Sequence, residues 1–133
     1  MIRYEQIHHV SLTVADVEKA KQFYENVLEL ELEERPPFDF NGEWYKIGRQ
    51  QLHLIEDTEK TIDTEINTRA PHFAFRVKDY EETKLHLEHH NVPFTAKPDS
   101  IAGFAQLYCL DPSGNVIELN TPQGQLKAGK THE

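Results

Sequence analysis

Two stretches of the chain follow nearly the same pattern: QIHHVSLTVADVEK at residues 6–19 and RAPHFAFRVKDYEE at residues 69–82. His9 and His72 hold equivalent places, 63 residues apart, and an aspartate follows each of them seven residues later. Polar and apolar residues alternate behind each histidine, which indicates a strand, and aspartate is a preferred N-cap of a helix. The two stretches therefore predict one strand–helix unit that occurs twice.

The remaining sequence extends this unit to βαβββ in each half. Alternating apolar residues, helix caps and turn residues predict the elements. In the first half they are a strand over 7–14, a helix over 16–28, a strand over 30–34 and hairpin strands over 43–47 and 51–55. In the second half they are a strand over 71–77, a helix over 79–90 and strands over 93–96, 105–110 and 116–120.

The pattern defines a domain organisation and a fold class. We place the repeats at about 5–56 and 71–121 of a single domain over 1–133, with a linker over about 57–70 and a loose tail over 122–133. The predicted fold class is α+β, with two βαβββ repeats forming curved sheets around a central cavity.

The last strands of the two halves, QLHLIE at 51–56 and VIELNT at 116–121, extend the comparison. His53 aligns with Glu118 at an offset of 65, so the second half has gained two residues. Two copies of one unit commonly pack about a pseudo-twofold axis, which would bring two equivalent pairs of side chains to one centre. Three imidazoles and one carboxylate are a ligand set for a divalent metal ion. The predicted metal ligands are His9, His53, His72 and Glu118.

Strand parity separates these four residues from the apolar positions. Val10, Leu52 and Ile117 represent the apolar side of the strands, which the two helices are expected to cover. The predicted ligands lie on the opposite, polar side. A sheet with helices on one side and polar residues on the other is expected to enclose a wet cavity.

Composition limits the class of protein and its partners. The 133 residues carry a net charge of -9, with 38% hydrophobic and 28% charged residues, which indicates a soluble globular protein. The negative charge argues against nucleic acid and anionic membranes as partners. No apolar run is long enough to cross a bilayer, and the first residues lack the apolar core of a signal peptide. Cys109 is the one cysteine, so we expect a cytoplasmic protein without disulfides.

Three segments resemble the vicinal oxygen chelate superfamily: HHVSLTVADVEKAKQFYENVLEL at 8–30, PHFAFRV at 71–77 and LYCLDPSGNVIEL at 107–119. The superfamily includes glyoxalase I, fosfomycin-resistance thiol transferases, extradiol dioxygenases and bleomycin-resistance proteins. The resemblance spans about residues 5–121 and implies the glyoxalase-like fold. Metal-binding members take their ligands from the first and last strands of each repeat, which implies the same quartet here. It also implies one divalent ion (Zn, Ni, Fe or Mn) and a homodimer.

The resemblance implies a small-molecule enzyme. The leading hypothesis is a metal-dependent lyase or isomerase of glyoxalase I type, acting on a small substrate chelated through vicinal oxygens, with Glu118 as the catalytic base. Bacterial glyoxalase I usually has a glutamate where this chain has His53, so bound water should be more acidic here. The alternatives are a fosfomycin-type thiol transferase, a ring-cleaving extradiol dioxygenase and a metal-free protein that sequesters drugs. The chain resembles the fosfomycin transferases at Tyr108, the tyrosine before the turn.

Several side chains near these positions are candidates for holding the substrate. Arg76 shares a strand face with His72, and nearby arginine or tyrosine side chains could bind an anionic group. Aromatic residues after the second strand could form an apolar wall for the substrate, or could pack at the rim or at a subunit interface. The predicted substrate-binding residues are Arg76, Tyr108, Trp44, Phe40 and Arg49.

Overall fold

A computed structural model describes residues 1–123 and divides the chain into two compact units between Ile62 and Asp63. Residues 124–133, which make up most of the predicted tail, lie outside the described residues. Each unit holds one four-stranded mixed sheet and one helical segment. Across residues 1–123, no helix is both long and apolar enough to cross a membrane.

Unit 1 has the predicted order βαβββ. Its elements are β1 (His9–Val14), α1 (Val17–Gln22) continued by a π-helical turn (Phe23–Val27), β2 (Glu31–Glu33), β3 (Gly42–Ile47) and β4 (Gln50–Glu56). β1 lies parallel to β4, and the spatial order of the sheet is β1-β4-β3-β2. The Asp16 carboxylate accepts hydrogen bonds from the backbone N–H groups of Glu18 and Lys19, so the predicted cap of α1 is confirmed.

Unit 2 repeats this topology. Its elements are β5 (His72–Arg76), α2 (Tyr80–His89), β6 (Phe94–Lys97), β7 (Phe104–Leu110) and β8 (Val116–Pro122). β5 lies parallel to β8, and the spatial order is β5-β8-β7-β6. Asp79 caps α2 by accepting a hydrogen bond from the backbone N–H of Glu82. The prediction of an α+β fold with two βαβββ repeats is confirmed.

Strand register supports the alignment of the two halves. Val10 pairs with Leu52 in the parallel pair of unit 1, and Phe73 pairs with Ile117 in the parallel pair of unit 2. These pairs reproduce the offset of 63 on the first strands and of 65 on the last strands. The two units therefore place their histidine and last-strand positions on the same points of one scaffold.

The third strands locate the two residues that unit 2 has gained. Trp44 pairs with His53, and Tyr108 pairs with Glu118, so the third strands are offset by 64. One extra residue therefore precedes β7, and the other lies in the turn between β7 and β8. That turn contains Gly114, whose φ of 82° is left-handed. Only a residue without a Cβ adopts this conformation at little cost.

The apolar sides of the sheets and helices form the cores. The fully buried larger side chains include Tyr24, Tyr45, Leu52 and Leu54 in unit 1 and Leu87, Leu107, Cys109 and Ile117 in unit 2. The hydroxyl of Tyr45 donates a hydrogen bond to Glu25 at 2.9 Å. Burial and this bond raise the pKa of Tyr45, so the phenol stays protonated. Tyr45 thus belongs to the core, on the opposite strand face from Trp44.

The first strand of each unit is less covered than the alternation predicts. Val10, Leu12, Phe73 and Phe75 are only half-buried. β1 and β5 are the edge strands of their sheets, so each has a hydrogen-bonded neighbour on one side only. An apolar residue on an edge strand therefore loses less contact with water than one on a central strand.

Candidate metal centre

In unit 2, His72 and Glu118 lie side by side on the polar face of the sheet. His72 begins β5, and the strand register places Glu118 across the diagonal on β8. His72 Nε2 lies 3.0 Å from Glu118 Oε1. Glu118 is 4% exposed, whereas His72 is exposed at the strand end. The carboxylate is therefore buried beneath an imidazole that solvent or a ligand can reach.

Glu118 is held by a network of hydrogen bonds. The Asn120 side-chain amide donates to Glu118 Oε2 at 2.7 Å. Burial alone would raise the pKa of Glu118, but the hydrogen bonds from Asn120, His72, Gln106 and Tyr108 together lower it. The carboxylate is therefore ionised at neutral pH, with both oxygens oriented. Tyr108 stays protonated as a donor, because burial and the charge of Glu118 raise its pKa.

The proton position on His72 fits a metal ligand. Its Nδ1 lies 2.7 Å from the carbonyl oxygen of Ala70, which can only accept, so Nδ1 donates this hydrogen bond. Nε2 faces Glu118 Oε1, where a proton or a bound cation can bridge the two atoms. Donation of the second nitrogen to a carbonyl is also usual for metal-bound histidine.

In unit 1, His9 and His53 also lie together, but as stacked rings. Their ring centroids are 4.3 Å apart with an interplanar angle of 16°. Trp44 stacks on the other face of His53, with centroids 4.1 Å apart and planes within 4° of parallel. His53 Nε2 donates to Gln51 Oε1 at 2.8 Å, and His9 Nδ1 shares a hydrogen bond with His8 Nδ1 at 2.9 Å. The ring of His53 is therefore fixed on three sides.

The surroundings of His53 keep it neutral. Burial lowers the pKa of His53, and the charges of His9, His8 and Arg35 lower it further. A neutral imidazole retains a lone pair at neutral pH, which is the form that binds a metal ion. Unit 1 thus offers two nitrogen donors where unit 2 offers one nitrogen and one carboxylate.

Arg35 is a residue of this face that the sequence interpretation missed. Its guanidinium carbon lies 4.9 Å from the ring centroid of Phe38 and 5.0 Å from that of Phe40. The two phenylalanine rings stack on each other at 5.1 Å, and Phe38 lies 6.0 Å from Trp44. The sequence carries no repeat or motif at Arg35, since the residue reaches this position through a loop.

Residues 6–119 match the family model of the Glyoxalase/Bleomycin resistance protein/Dioxygenase superfamily. The chain belongs to this superfamily. The match covers both repeats and all four predicted ligands, and it confirms the resemblance found in the sequence. Membership fixes the fold and the general class, whereas members differ in activity.

Similar proteins within and around the superfamily have different functions. The metallothiol transferase FosB of Staphylococcus saprophyticus is 27% identical over 125 residues, which cover 88% of this chain and 77% of that protein. Lactoylglutathione lyase of Agrobacterium tumefaciens is 27% identical, with a TM-score of 0.70 over 92% of this chain and 96% of that one. A candidate glyoxalase family protein of Bacillus anthracis is 25% identical, with a TM-score of 0.79 over 92% and 99% of the two chains.

The predicted substrate-binding residues lie in different surroundings. Trp44 and Tyr108 contact the two candidate pairs directly, the former on His53 and the latter edge-on to His72 at 5.4 Å. Phe40 is 42% exposed and stacks on Phe38.

The two predicted arginines are farther from the pairs. Arg76 lies opposite Asn120 in the β5–β8 register, with its guanidinium carbon 5.8 Å from the ring centroid of Phe104. Arg49 is exposed in the β3–β4 turn, where its carbonyl accepts a hydrogen bond from Gln6. Arg76 therefore shares a face with one pair, whereas Arg49 lies at the end of its sheet.

Neither unit by itself gathers three His, Cys, Asp or Glu side chains suited to a metal ion within residues 1–123. Unit 2 also contains a cavity of about 400 Å³ beside its polar face. Its lining residues are Thr64, Glu65, Ile66, Pro93, Thr95 and Leu110. Thr95 pairs with Tyr108 across β6 and β7, so the cavity reaches the strand that holds the Glu118 network.

Proposed function

We propose that the protein is a metal-dependent lyase or isomerase of glyoxalase I type, acting on a small substrate that presents two neighbouring oxygens. One divalent ion, of Zn, Ni, Fe or Mn, would be held by His9, His53, His72 and Glu118. When bound, the ion would polarise the two substrate oxygens and would stabilise the negative charge that develops on them. The observation that carries this proposal is the His72–Glu118 pair, with Nδ1 of His72 committed to a carbonyl.

Glu118 is the residue that we propose to move the proton. Its lowered pKa keeps it ionised and able to accept a proton from a substrate carbon, although a low pKa also makes it a weaker base. Returning this proton to the neighbouring carbon, while the hydroxyl proton passes to the other substrate oxygen, converts a thiol–aldehyde adduct into the isomeric hydroxy thioester. Tyr108 and Asn120 would keep the carboxylate oriented while it gains and loses the proton.

The test supplies the purified, metal-loaded protein with adducts of low-molecular-weight thiols and 2-oxoaldehydes. We expect conversion to the hydroxy thioester by wild type and its loss in Glu118→Gln. A variant with His86→Ala and His90→Ala serves as the matched control, since those rings lie 4.5 Å apart at the C-terminal end of α2 and could bind added metal at the surface. If fully loaded wild type leaves every adduct unchanged, this proposal is wrong.

Thiol transfer is a second candidate function, because FosB is similar over most of the chain. A metal held by the same four residues would polarise an epoxide oxygen, and the sulfur of the thiol would open the ring. We expect bacteria that express the protein to gain fosfomycin tolerance if this candidate is right. Unchanged tolerance, together with turnover of thiol–aldehyde adducts, would leave the lyase or isomerase as the function.

We also propose that the protein forms a homodimer in the cytoplasm. The superfamily commonly forms dimers, and β1 and β5 each leave one edge without a strand partner in the described part of the chain. Light scattering behind a sizing column should give twice the 15.5 kDa mass of one chain. A single-chain mass at micromolar concentration would contradict the dimer without affecting the metal proposal.

A further inference from the structure

Arg35 holds a positive charge above an aromatic surface in unit 1. Its guanidinium carbon lies about equally far from the centroids of Phe38 and Phe40, at 4.9 and 5.0 Å. Its Nη2 donates a hydrogen bond to the carbonyl oxygen of Phe40 at 2.8 Å. The cation is therefore fixed in position by two rings and one backbone group, which reduces the entropy it would lose on binding a ligand.

The charge of Arg35 has no carboxylate partner among residues 1–123. The ion pairs of that part of the chain are Lys21–Glu43 and His72–Glu118. The Nε atom of Arg35 is buried and makes no hydrogen bond within the described residues. In a chain of net charge -9, an uncompensated guanidinium is a local exception.

Arg35 lies on the same sheet face as the His9–His53 pair. Phe38, one of the two rings beside the guanidinium, lies 6.0 Å from Trp44. Trp44 in turn stacks on His53. Cation, aromatic rings and imidazole pair thus form one continuous surface.

We propose that Arg35, Phe38, Phe40 and Trp44 form a subsite for an organic anion. The carboxylate or phosphonate of the ligand would pair with the guanidinium, and its flat or apolar body would pack on the rings. This inference rests on the proposed function in one respect: the anionic group would be the non-reacting end of the substrate. Binding of the anion itself requires no metal ion.

The test uses Trp44, the one tryptophan of the chain, as a fluorescence reporter. Chelator-treated full-length protein is titrated with 4-phenylbutyrate and with its uncharged amide. We expect wild type to bind the acid roughly tenfold more tightly than the amide. Arg35→Met should abolish that preference, Arg35→Lys should retain part of it, and added salt should reduce it. Arg3→Met, which removes a charge at the exposed N-terminus, should leave it unchanged.

The outcomes separate a binding role from a purely structural one. If Arg35→Met weakens acid and amide equally, or if wild type does not distinguish them, Arg35 only holds the loop and the proposal is wrong. The fluorescence maximum and melting temperature of each variant show whether the loop and fold are intact. Elemental analysis of separate samples tests the metal site. Anion preference without bound metal supports this subsite and contradicts the proposed function, and bound metal without preference does the reverse.

Discussion

The two units hold their candidate ligands at equivalent points of one scaffold but stabilise them in different ways. In unit 1, His53 is packed between the rings of His9 and Trp44. In unit 2, Glu118 is buried in a network of hydrogen-bond donors and faces His72. Stacking suits a neutral ring, whereas a buried carboxylate needs charge-assisted hydrogen bonds. The replacement of a histidine by a glutamate at equivalent positions of the two units is therefore accompanied by different neighbouring side chains.

The largest loss of metal affinity is expected when the carboxylate of unit 2 is replaced by a neutral group. Glu118→Gln keeps the side-chain shape but removes the one anionic donor of the proposed quartet. Loss of an outer-shell partner commonly costs 10–100-fold in metal affinity, so loss of this ligand should cost about 100-fold or more. His53→Gln in unit 1 should cost less, because it replaces a neutral donor. Elemental analysis after dialysis against dilute metal checks the order, and equal losses would contradict the assigned asymmetry.

The hairpin turns of the two units differ in what lies over them. Gly114 and Gly48 both have positive φ, but only at Gly114 would a Cβ collide, with the backbone of Asp63 at 2.5 Å. Gly48→Ala should therefore lower the free energy of unfolding by about 1 kcal/mol, the cost of holding a residue with a Cβ in the left-handed conformation. Gly114→Ala should cost about 3 kcal/mol, since backbone atoms must also move. Urea unfolding measures both, and similar costs would mean that residue 63 moves freely.

Supporting residues offer a finer comparison of the two pairs. Tyr108→Phe removes a donor to the Glu118 carboxylate, whereas Trp44→Leu removes the ring that stacks on His53. We expect metal affinity to fall about tenfold in the first variant and about threefold in the second, because hydrogen bonds to a ligand constrain it more than stacking does. Calorimetric titration gives both values. The reverse order would indicate that ring orientation in unit 1 controls the affinity.

The sequence predicts the fold and the two pairs because both depend on local periodicity. Alternation decides which residues share a strand face. The repeat shows that His9 and His72 occupy equivalent positions, as do His53 and Glu118. The joining of the four residues in one site stays a prediction.

Contacts made by loops could not be predicted in the same way. Arg35 reaches the Trp44 face through the closure of residues 34–41, and no local pattern specifies where such a loop lies. The contact of Asp63 with Gly114 likewise joins residues 51 apart in the chain. The half-burial of Phe73 follows from the place of β5 at the edge of its sheet, which alternation within a single strand does not reveal.

The position three residues after the candidate ligand on the last strand differs between the units. Thr121 is the repeat equivalent of Glu56, and its hydroxyl is buried with no hydrogen-bond partner among the described residues. A buried hydroxyl without a partner costs about 1 kcal/mol or more. Thr121→Val, which has the same shape, should therefore raise the free energy of unfolding by about 1 kcal/mol in chemical denaturation. A loss of stability would mean that the hydroxyl is paired.

Glu56 gives the smallest effect, and one that depends on pH. Its Oε2 accepts a hydrogen bond from the Val17 N–H at 3.0 Å, and its Oε1 accepts one from Asn41 at 3.0 Å, so a second carboxylate supports the start of α1.

The Val17 N–H and Asn41 lower the pKa of Glu56 relative to the unfolded chain. The ionised form thus stabilises the fold above the unfolded pKa of about 4.3, and this stabilisation is lost as pH falls through the folded pKa. Glu56→Gln should therefore destabilise the protein at pH 7 and have little effect in acid. Unfolding curves across this pH range check the sign, and a cost that persists unchanged in acid would show that the glutamate acts through packing rather than charge.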